Sequence, residues 1–172
     1  MILICYDGSD DAKAAILHGG ELLSGQAATV LTVWQPVAIM GTRAPTGFMF
    51  LPSFLDAEEI DQANEDFAEK QAAEGADLAR RSGLDAVAIS VAQTSTTADA
   101  ILSEADRLDA GAILMGSRGL TGLKSLLLGS VSHAVLQHAP RPVIVVPSPK
   151  VAMSRGEARG VIAKHANSTT EV

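Results

Sequence analysis

The chain has 172 residues and a formal net charge of −7, with 47% hydrophobic but only 3% aromatic residues. This composition excludes a wholly disordered chain, and the length suits one domain with a sizeable core. The acidic balance, without a dense basic cluster, argues against a nucleic-acid partner. Because no stretch reaches the roughly 20 apolar residues of a membrane span and no signal peptide stands at the start, we expect a cytoplasmic protein with no membrane partner.

The first part of the chain predicts two strands and two helices. Residues 2–6 read as a buried strand that contains the single cysteine, Cys5, which we expect to be a core thiol. Residues 7–10 break this strand and offer two N-caps to a helix that ends near 24–25. A second strand is predicted over 28–34, and a long helix over 56–82, where Asp56 and Glu59 resemble a capping box.

Residues 35–55 join the second strand to the long helix and are unusually apolar for a connection. Loops of this length often serve as lids or binding segments. We interpret the segment as a hydrophobic cap over one edge of the core, and a lid remains the alternative.

The second part continues the alternation of strands and helices. The patterns predict strands over 86–91, 112–115 and 143–146, a helix from Thr96 or Thr97 to about Leu108, and a helix over 130–138. Apolar strands without clean alternation are typical of burial on both faces, so the sequence predicts a mostly parallel sheet between two helix layers, a three-layer α/β/α fold. From residue 148 the sheet pattern stops, and 148–172 read as a tail with a weak amphipathic helix at 151–166.

A glycine-rich loop follows the fourth strand and precedes the last helix. It carries the spacing G-x2-G-x9-G-[ST] at Gly116, Gly119, Gly129 and Ser130. Glycines permit close approach to a ligand and positive φ angles, and the next helix N-terminus offers N–H groups to phosphates. Neither a Walker A loop nor a G-x-G-x-x-G fingerprint is present.

This motif resembles the ATP-binding motif of universal stress proteins. The opening segment 2–9 and the segments 126–135 and 140–146 are also similar to that family, so the resemblance covers about residues 1–147. It implies an adenine nucleotide alpha hydrolase-like fold whose five parallel strands have the order 3-2-1-4-5. Ligands of open α/β sheets bind at the switch point of the strand order, here between strands one and four.

The resemblance also implies a ligand, ATP with or without Mg²⁺, and a set of contact residues. Asp7 would contact the ribose or adenine side, Val33 the adenine through its backbone, and Met115 and Gly116 the nucleoside. The phosphates would be surrounded by Arg118, Gly119, Gly129, Ser130, Val131 and Ser132. The alternatives are that Asp7 or Ser130 is a helix cap, that Arg118 is solvated, and that the glycines form a turn without a ligand.

The function that the resemblance implies is that of an ATP-binding, nucleotide-dependent regulatory module of the stress response. No catalytic residue is expected, since the glycine loop offers no obvious general base. A slow ATPase, an autophosphorylating protein and a cyclic-AMP-binding member of the family remain alternatives. A receiver-type phosphorylation domain is rejected because residues 91–94, after the third strand, contain no acceptor aspartate.

Two further expectations concern metals and assembly. The four histidines read as surface or helix-end residues, and His133 and His138 have poor spacing for a metal on one helix. The last strand, 143–146, would lie at the sheet edge in the family's strand order. The resemblance implies a homodimer formed by antiparallel pairing of this strand, unless the tail folds over it.

Overall fold

The computed structural model describes residues 1–39, 56–120, 128–150 and 152–153. Five strands in these ranges form one parallel sheet in the order β3-β2-β1-β4-β5. This confirms the predicted three-layer α/β/α architecture and its strand order. The strands are β1 (Ile2–Cys5), β2 (Ala27–Trp34), β3 (Asp85–Ala92), β4 (Ala112–Gly116) and β5 (Val143–Val146).

Four helices whose bounds lie inside the described ranges connect these strands, and three of them begin at a side-chain cap. They are α1 (Asp10–Leu22), α2 (Ala57–Arg81), α3 (Thr97–Arg107) and α4 (Ser130–His138). Ser9, Asp56 and Thr96 cap α1, α2 and α3 by accepting hydrogen bonds from backbone N–H groups of the first turn. At Asp56 the donor is the Glu58 N–H, 3.1 Å away. Each cap satisfies one of the donors that a helix start leaves unpaired.

The helices cover the sheet in two layers. On one face α1 and α2 pack on Ile2, Ile4 and Val30. On the other face α3 and α4 pack on Leu3, Leu31 and Ile113. Alternate residues of β1 therefore enter opposite cores, as expected for a strand buried on both sides.

Helix α2 approaches the sheet through small residues. Its buried positions are Ala68, Ala72, Gly75, Ala76 and Ala79. A Cβ atom on Gly75 would lie 2.7 Å from Tyr6 Cδ1 and 2.9 Å from Val30 Cγ1. The glycine therefore permits a close contact between helix and sheet that no larger residue could occupy.

The strand connections produce a switch point between β1 and β4. These two strands pair directly, while the chain leaves β1 toward β2 on one side and reaches β5 from β4 on the other. The loops after β1 and β4 therefore diverge from adjacent positions at the carboxyl edge of the sheet. Such a crevice is where open α/β sheets bind their ligands.

Several predicted segments reach beyond the described ranges. Residues 40–55 of the connection and 121–127 of the glycine loop lie outside them, as do 151 and 154–172 of the tail. The described part of the tail is helical at 149–150 and 152–153, and Ala152 N–H donates to Ser148 O at 2.9 Å. No helix within the described ranges is long and apolar enough to cross a membrane.

Candidate functional site

The turn after β1 is built around Asp7. Its Oδ1 atom accepts the Ser9 N–H at 3.0 Å, and Gly8 between them has a φ of +78°. Ser9, not Asp7, then caps α1, because Ser9 Oγ accepts the Ala12 N–H at 3.2 Å. The alternative that Asp7 is the cap of the first helix is therefore wrong, and its Oδ2 atom faces the loop that follows β4.

Gly119 lies directly against the Asp7 carboxylate. A Cβ atom at position 119 would stand 2.6 Å from Asp7 Oδ2. The φ angle of Gly119 is not in the left-handed region, where the described chain has only Gly8, Gly25, Gly83 and the non-glycine Asp109. Position 119 therefore requires a glycine for space beside the carboxylate and not for a positive φ angle.

The end of β4 lies against the first turn of α1. A Cβ atom on Gly116 would be 2.7 Å from the Asp11 carbonyl carbon and 2.8 Å from Ala12 N. Ser117 follows, and its hydroxyl donates to Asp11 Oδ2 at 2.6 Å with both residues buried. A hydrogen bond to a buried carboxylate is among the stronger ones in proteins, so this pair fixes the start of the loop.

The backbone of Ser117 holds the two ends of the glycine loop together. Its carbonyl accepts the Gly129 N–H at 2.8 Å and the Ser132 hydroxyl at 2.9 Å. The Ser132 hydroxyl also lies 3.0 Å from Gly129 O, and the residue is 3% exposed. This hydroxyl therefore donates inward, and Ser132 presents its backbone N–H, rather than its side chain, to the loop.

Helix α4 begins without a side-chain cap. Its N-cap residue is Gly129, which makes no capping hydrogen bond, and its first turn contains no acidic residue. Ser130 is the exposed first residue of the helix, so its interpretation as the N-cap is wrong. The first N–H groups of α4 and the positive end of its dipole are available to an anion.

Arg118 stands beside this helix start. A Cβ atom on Gly129 would lie 3.4 Å from Arg118 Cα, and the Arg118 carbonyl accepts the Ser9 hydroxyl at 3.4 Å. Arg118 Nε is buried and has no hydrogen-bond partner in the described parts of the chain. An unpaired guanidinium nitrogen next to an uncapped helix provides two features that favour a bound anion.

Three of the expected contact residues form an apolar wall. Val33, Met115 and Val131 belong to the core on the face covered by α3 and α4. Val33 also borders an open groove of about 220 Å³ between the end of β2 and α2. An apolar wall beside a polar rim is typical of a small-molecule site.

Burial controls the titration of the groups below the site. It raises the pKa of the Cys5 thiol from 9.0 to about 12, with the Asp7 charge as the smaller cause. Burial also raises the pKa of Tyr6, whose hydroxyl donates to Glu74 Oε1 at 2.9 Å. Cys5 packs against the core of the α3/α4 face. These findings agree with the expectation of an unreactive core thiol.

Four residues near the site escaped the sequence analysis. Asp11 and Ser117 form the buried pair, Gln71 Nε2 donates to Asp7 O at 3.1 Å, and Gln93 is buried with an unpaired Nε2. The sequence could have indicated a buried Asp11, because its spacing from Ala15 and Gly19 places all three residues on one side of α1, and all three are buried. No group of three His, Cys, Asp or Glu residues that could hold a metal occurs within the described ranges.

Comparison with known proteins identifies relatives over most of the chain. The sequence model of the universal stress protein family matches residues 1–147. The universal stress protein YxiE of Bacillus subtilis is 32% identical over 148 residues, which cover 84% of this chain and 97% of that protein. A universal stress protein of Thermus aquaticus is 35% identical over 147 residues, covering 84% and 96%.

Solved structures share the fold. Protein MJ0577 is 25% identical, with a TM-score of 0.67, over 85% of this chain and 94% of that one. A universal stress protein of Archaeoglobus fulgidus, solved with dAMP, is 21% identical with a TM-score of 0.58 over 84% and 95%. Another universal stress protein, solved with cAMP, is 20% identical with a TM-score of 0.55 over 86% and 95%. On the strength of the match across residues 1–147, this chain belongs to the universal stress protein family.

Proposed function

We propose that this chain binds an adenine nucleotide, with ATP as the preferred ligand, at the crevice between β1 and β4, and acts as a nucleotide-dependent regulatory module of the stress response. The observation that carries the proposal is Arg118 Nε, which has no partner among the described residues and lies beside the uncapped start of α4. A guanidinium and free backbone N–H groups are the donors that a phosphate chain requires.

The phosphate part of the site uses the glycine loop and the first turn of α4. Gly119 and Gly129 leave the backbone uncovered, while Arg118 supplies the positive charge. The N–H groups of Ser130, Val131 and Ser132 lie at the helix start, where the dipole favours negative charge. The net charge of the chain, −7, does not oppose this, because the local donors and not the net charge bind the phosphates.

The nucleoside part of the site lies between Asp7 and the apolar wall. Asp7 Oδ1 is held by the Ser9 N–H, which leaves Oδ2 as an acceptor for a ribose hydroxyl. Val33, Met115 and Gly116 provide apolar surface and backbone groups for the base. A universal stress protein of the same fold was solved with dAMP, which supports the proposal of an adenine nucleotide.

Magnesium would enter with the nucleotide and not through a protein cage. The described ranges hold no cluster of three acidic, histidine or cysteine ligands. Mg²⁺ commonly binds substrate phosphates with only one or two carboxylates from the protein. This mode fits the present site, where the Asp7 carboxylate lies beside Gly119 of the loop.

The site favours binding over catalysis. Hydrolysis needs a group that orients water or accepts a proton near the γ-phosphate. The donors that we assign to the phosphates, the Arg118 guanidinium and the backbone N–H groups of the helix start, do not accept a proton at neutral pH. We therefore place slow hydrolysis, autophosphorylation and a preference for cyclic AMP as outcomes to be tested, with regulated binding as the proposal.

Calorimetric titration of the full chain with ATP, ADP, AMP and cyclic AMP tests the proposal. We expect the tightest binding for ATP and a loss of ATP affinity of about ten- to a hundredfold in Arg118→Gln, because a hydrogen bond to a charged group contributes about 1.5–3 kcal/mol. Arg81→Gln, at the exposed end of α2, is the matched control and should bind as the parent chain does. At 100 times its dissociation constant ATP should stabilise the fold by roughly 2.7 kcal/mol, so an unchanged melting temperature at millimolar ATP would refute the proposal.

A further inference from the structure

Gln93 carries a buried polar atom for which residues 1–39, 56–120 and 128–150 provide no hydrogen-bond partner. The residue directly follows β3 and is 3% exposed. Its Oε1 atom accepts the Thr97 hydroxyl at 2.9 Å, whereas Nε2 is buried and unpaired in the described parts of the chain. An unsatisfied buried donor costs stability, and an acceptor on a bound ligand would remove that cost.

The register of the sheet places Gln93 on the face that carries the apolar wall. Val33 pairs with Val91, and both pack in the core covered by α3 and α4. Side chains two residues apart on a strand share a face, and the backbone N–H of Gln93 still donates to Trp34 O at 2.9 Å, so the ladder continues to this residue. Gln93 therefore lies one step beyond Val91 on the face of Val33 and Met115.

The distance from Gln93 to Asp7 suits a nucleoside. The backbone after β1 follows β2, since Tyr6 N–H donates to Leu31 O at 2.9 Å and the Thr32 hydroxyl donates to Tyr6 O at 2.9 Å. Asp7 thus stands one strand away from Val33, and Gln93 stands one strand away on the other side. Strands lie about 4.8 Å apart and rise about 3.3 Å per residue, so two strand spacings and the two residues from Val91 to Gln93 separate the backbones of Asp7 and Gln93 by roughly 12 Å.

The Thr97 contact sets the orientation of the amide. With Oε1 engaged at the start of α3, the NH₂ group points away from Thr97. The buried NH₂ group is a hydrogen-bond donor, so a ligand that satisfies it must supply an acceptor. Ring nitrogens are the acceptors at the edge of a purine, and Asp7 at the other end would accept from the ribose.

We infer that Gln93 is a base-reading residue, whose Nε2 group donates to a ring nitrogen of the purine bound at the switch point. This inference rests on the proposed nucleotide binding and assigns it a source of base specificity. The groove of about 220 Å³ between β2 and α2 is the competing position for the base, and exposed Phe67 lines it. The groove is disfavoured because Met115 and Val131 lie in the core on the opposite face.

The test compares Gln93→Met with the parent chain in calorimetric titrations of ATP and of its 1-deaza, 3-deaza and 7-deaza analogues. We expect Gln93→Met to bind ATP about five- to tenfold more weakly, the effect of losing one neutral hydrogen bond. One deaza analogue should show the same loss in the parent chain and no further loss in the variant. The matched control is Gln26→Met, which changes an exposed glutamine directly before β2, at the amino-terminal ends of the strands.

The variant should also melt at or above the temperature of the parent chain without ligand, because it removes a buried unpaired donor. Gln93→Leu provides a second variant should methionine fail to fold. Equal ATP affinities in the parent chain and the variants would overturn the inference, as would a loss that is the same for ATP and for every analogue. A loss of ATP affinity in Phe67→Ala without a loss in Gln93→Met would place the base in the groove. That result would also overturn the inference. If the parent chain binds no nucleotide, the proposed function itself fails, which is a separate result.

Discussion

The Ser117 hydroxyl donates to Asp11 Oδ2 at 2.6 Å, and these two buried residues are 106 positions apart in the chain. Asp11 lies in the first turn of α1, where the helix dipole favours its negative charge. Ser117 starts the glycine loop, and its carbonyl binds both Gly129 and Ser132. The pair therefore connects the starts of α1 and α4, the two helices that border the proposed phosphate site.

Removing either member of this pair should destabilise the fold. Ser117→Ala and Asp11→Asn should each lower the free energy of unfolding by about 1–3 kcal/mol, since each disturbs a buried hydrogen bond to a carboxylate. Asp10→Asn, which changes an exposed carboxylate of the same turn, should cost less than about 0.5 kcal/mol. Urea unfolding of the single and double variants measures the coupling, and additive losses would show that the two side chains do not interact.

Gly119→Val should abolish nucleotide binding while the chain remains folded. Its Cβ atom would lie 2.6 Å from Asp7 Oδ2, so the loop or the carboxylate must move. Gly119→Ala should weaken binding for the same reason, to a smaller extent. The control is Gly111→Ala at the start of β4, where the nearest atom to a new Cβ is Met1 O at 3.7 Å. Native circular dichroism together with normal ATP affinity in Gly119→Val would show that the loop does not form the site.

We expect two chains to pair through β5, which has β4 as its one neighbour in the described sheet. An unpaired edge of apolar residues favours strand addition, and Pro142 and Pro147 confine the pairing to the four residues between them. Light scattering on the full chain and on a chain ending at Ser148 measures the assembly. A dimer in both is expected. A monomer in both excludes pairing at this edge, and a dimer in the short form alone would show that the tail covers it.

The stability of the chain should fall at alkaline pH through Cys5. Because the folded-state pKa is about 12 and the ordinary value is 9.0, the folded chain keeps a proton that the unfolded chain releases. The contribution of this thiol is complete below about pH 9 and decreases above it by at most about 1.4 kcal/mol per pH unit. Urea unfolding at pH 7, 9.5 and 10.5 should show that the free energy of unfolding of the parent chain falls relative to that of Cys5→Ala as the pH rises. A difference that is constant with pH would contradict the raised pKa.

The fold was largely predictable because its signals are local. The strands at 2–6, 86–91 and 112–115 were predicted within one residue of β1, β3 and β4, since short apolar runs between helical patterns indicate buried parallel strands. The strand order came from the resemblance carried by Gly116, Gly119 and Gly129. Composition and periodicity alone predict the sheet but not which strands are neighbours.

The polar contacts of the site were less predictable because they join distant segments. Asp10 and Asp11 are adjacent and chemically equal in sequence, yet one is exposed and the other meets Ser117. The cap of α1 is Ser9 because the Asp7 carboxylate turns back to the Ser9 N–H, a choice that depends on the Gly8 conformation. Gln93 gave no signal, since an unpaired amide appears only when its surroundings are known.

The alanine and glycine stripe of α2 has a dynamic consequence. The fully buried residues of this 25-residue helix are no larger than alanine and Leu78 is only partly buried, so we expect its opening to cost less free energy than global unfolding. Its amide hydrogens should exchange with deuterium well before those of β1 and β4. Gln71 joins this helix to Asp7 O, so each opening also releases the Asp7 turn. A nucleotide that binds Asp7 would consequently slow amide hydrogen exchange along α2. The exchange rate of this helix would therefore depend on whether the crevice is occupied.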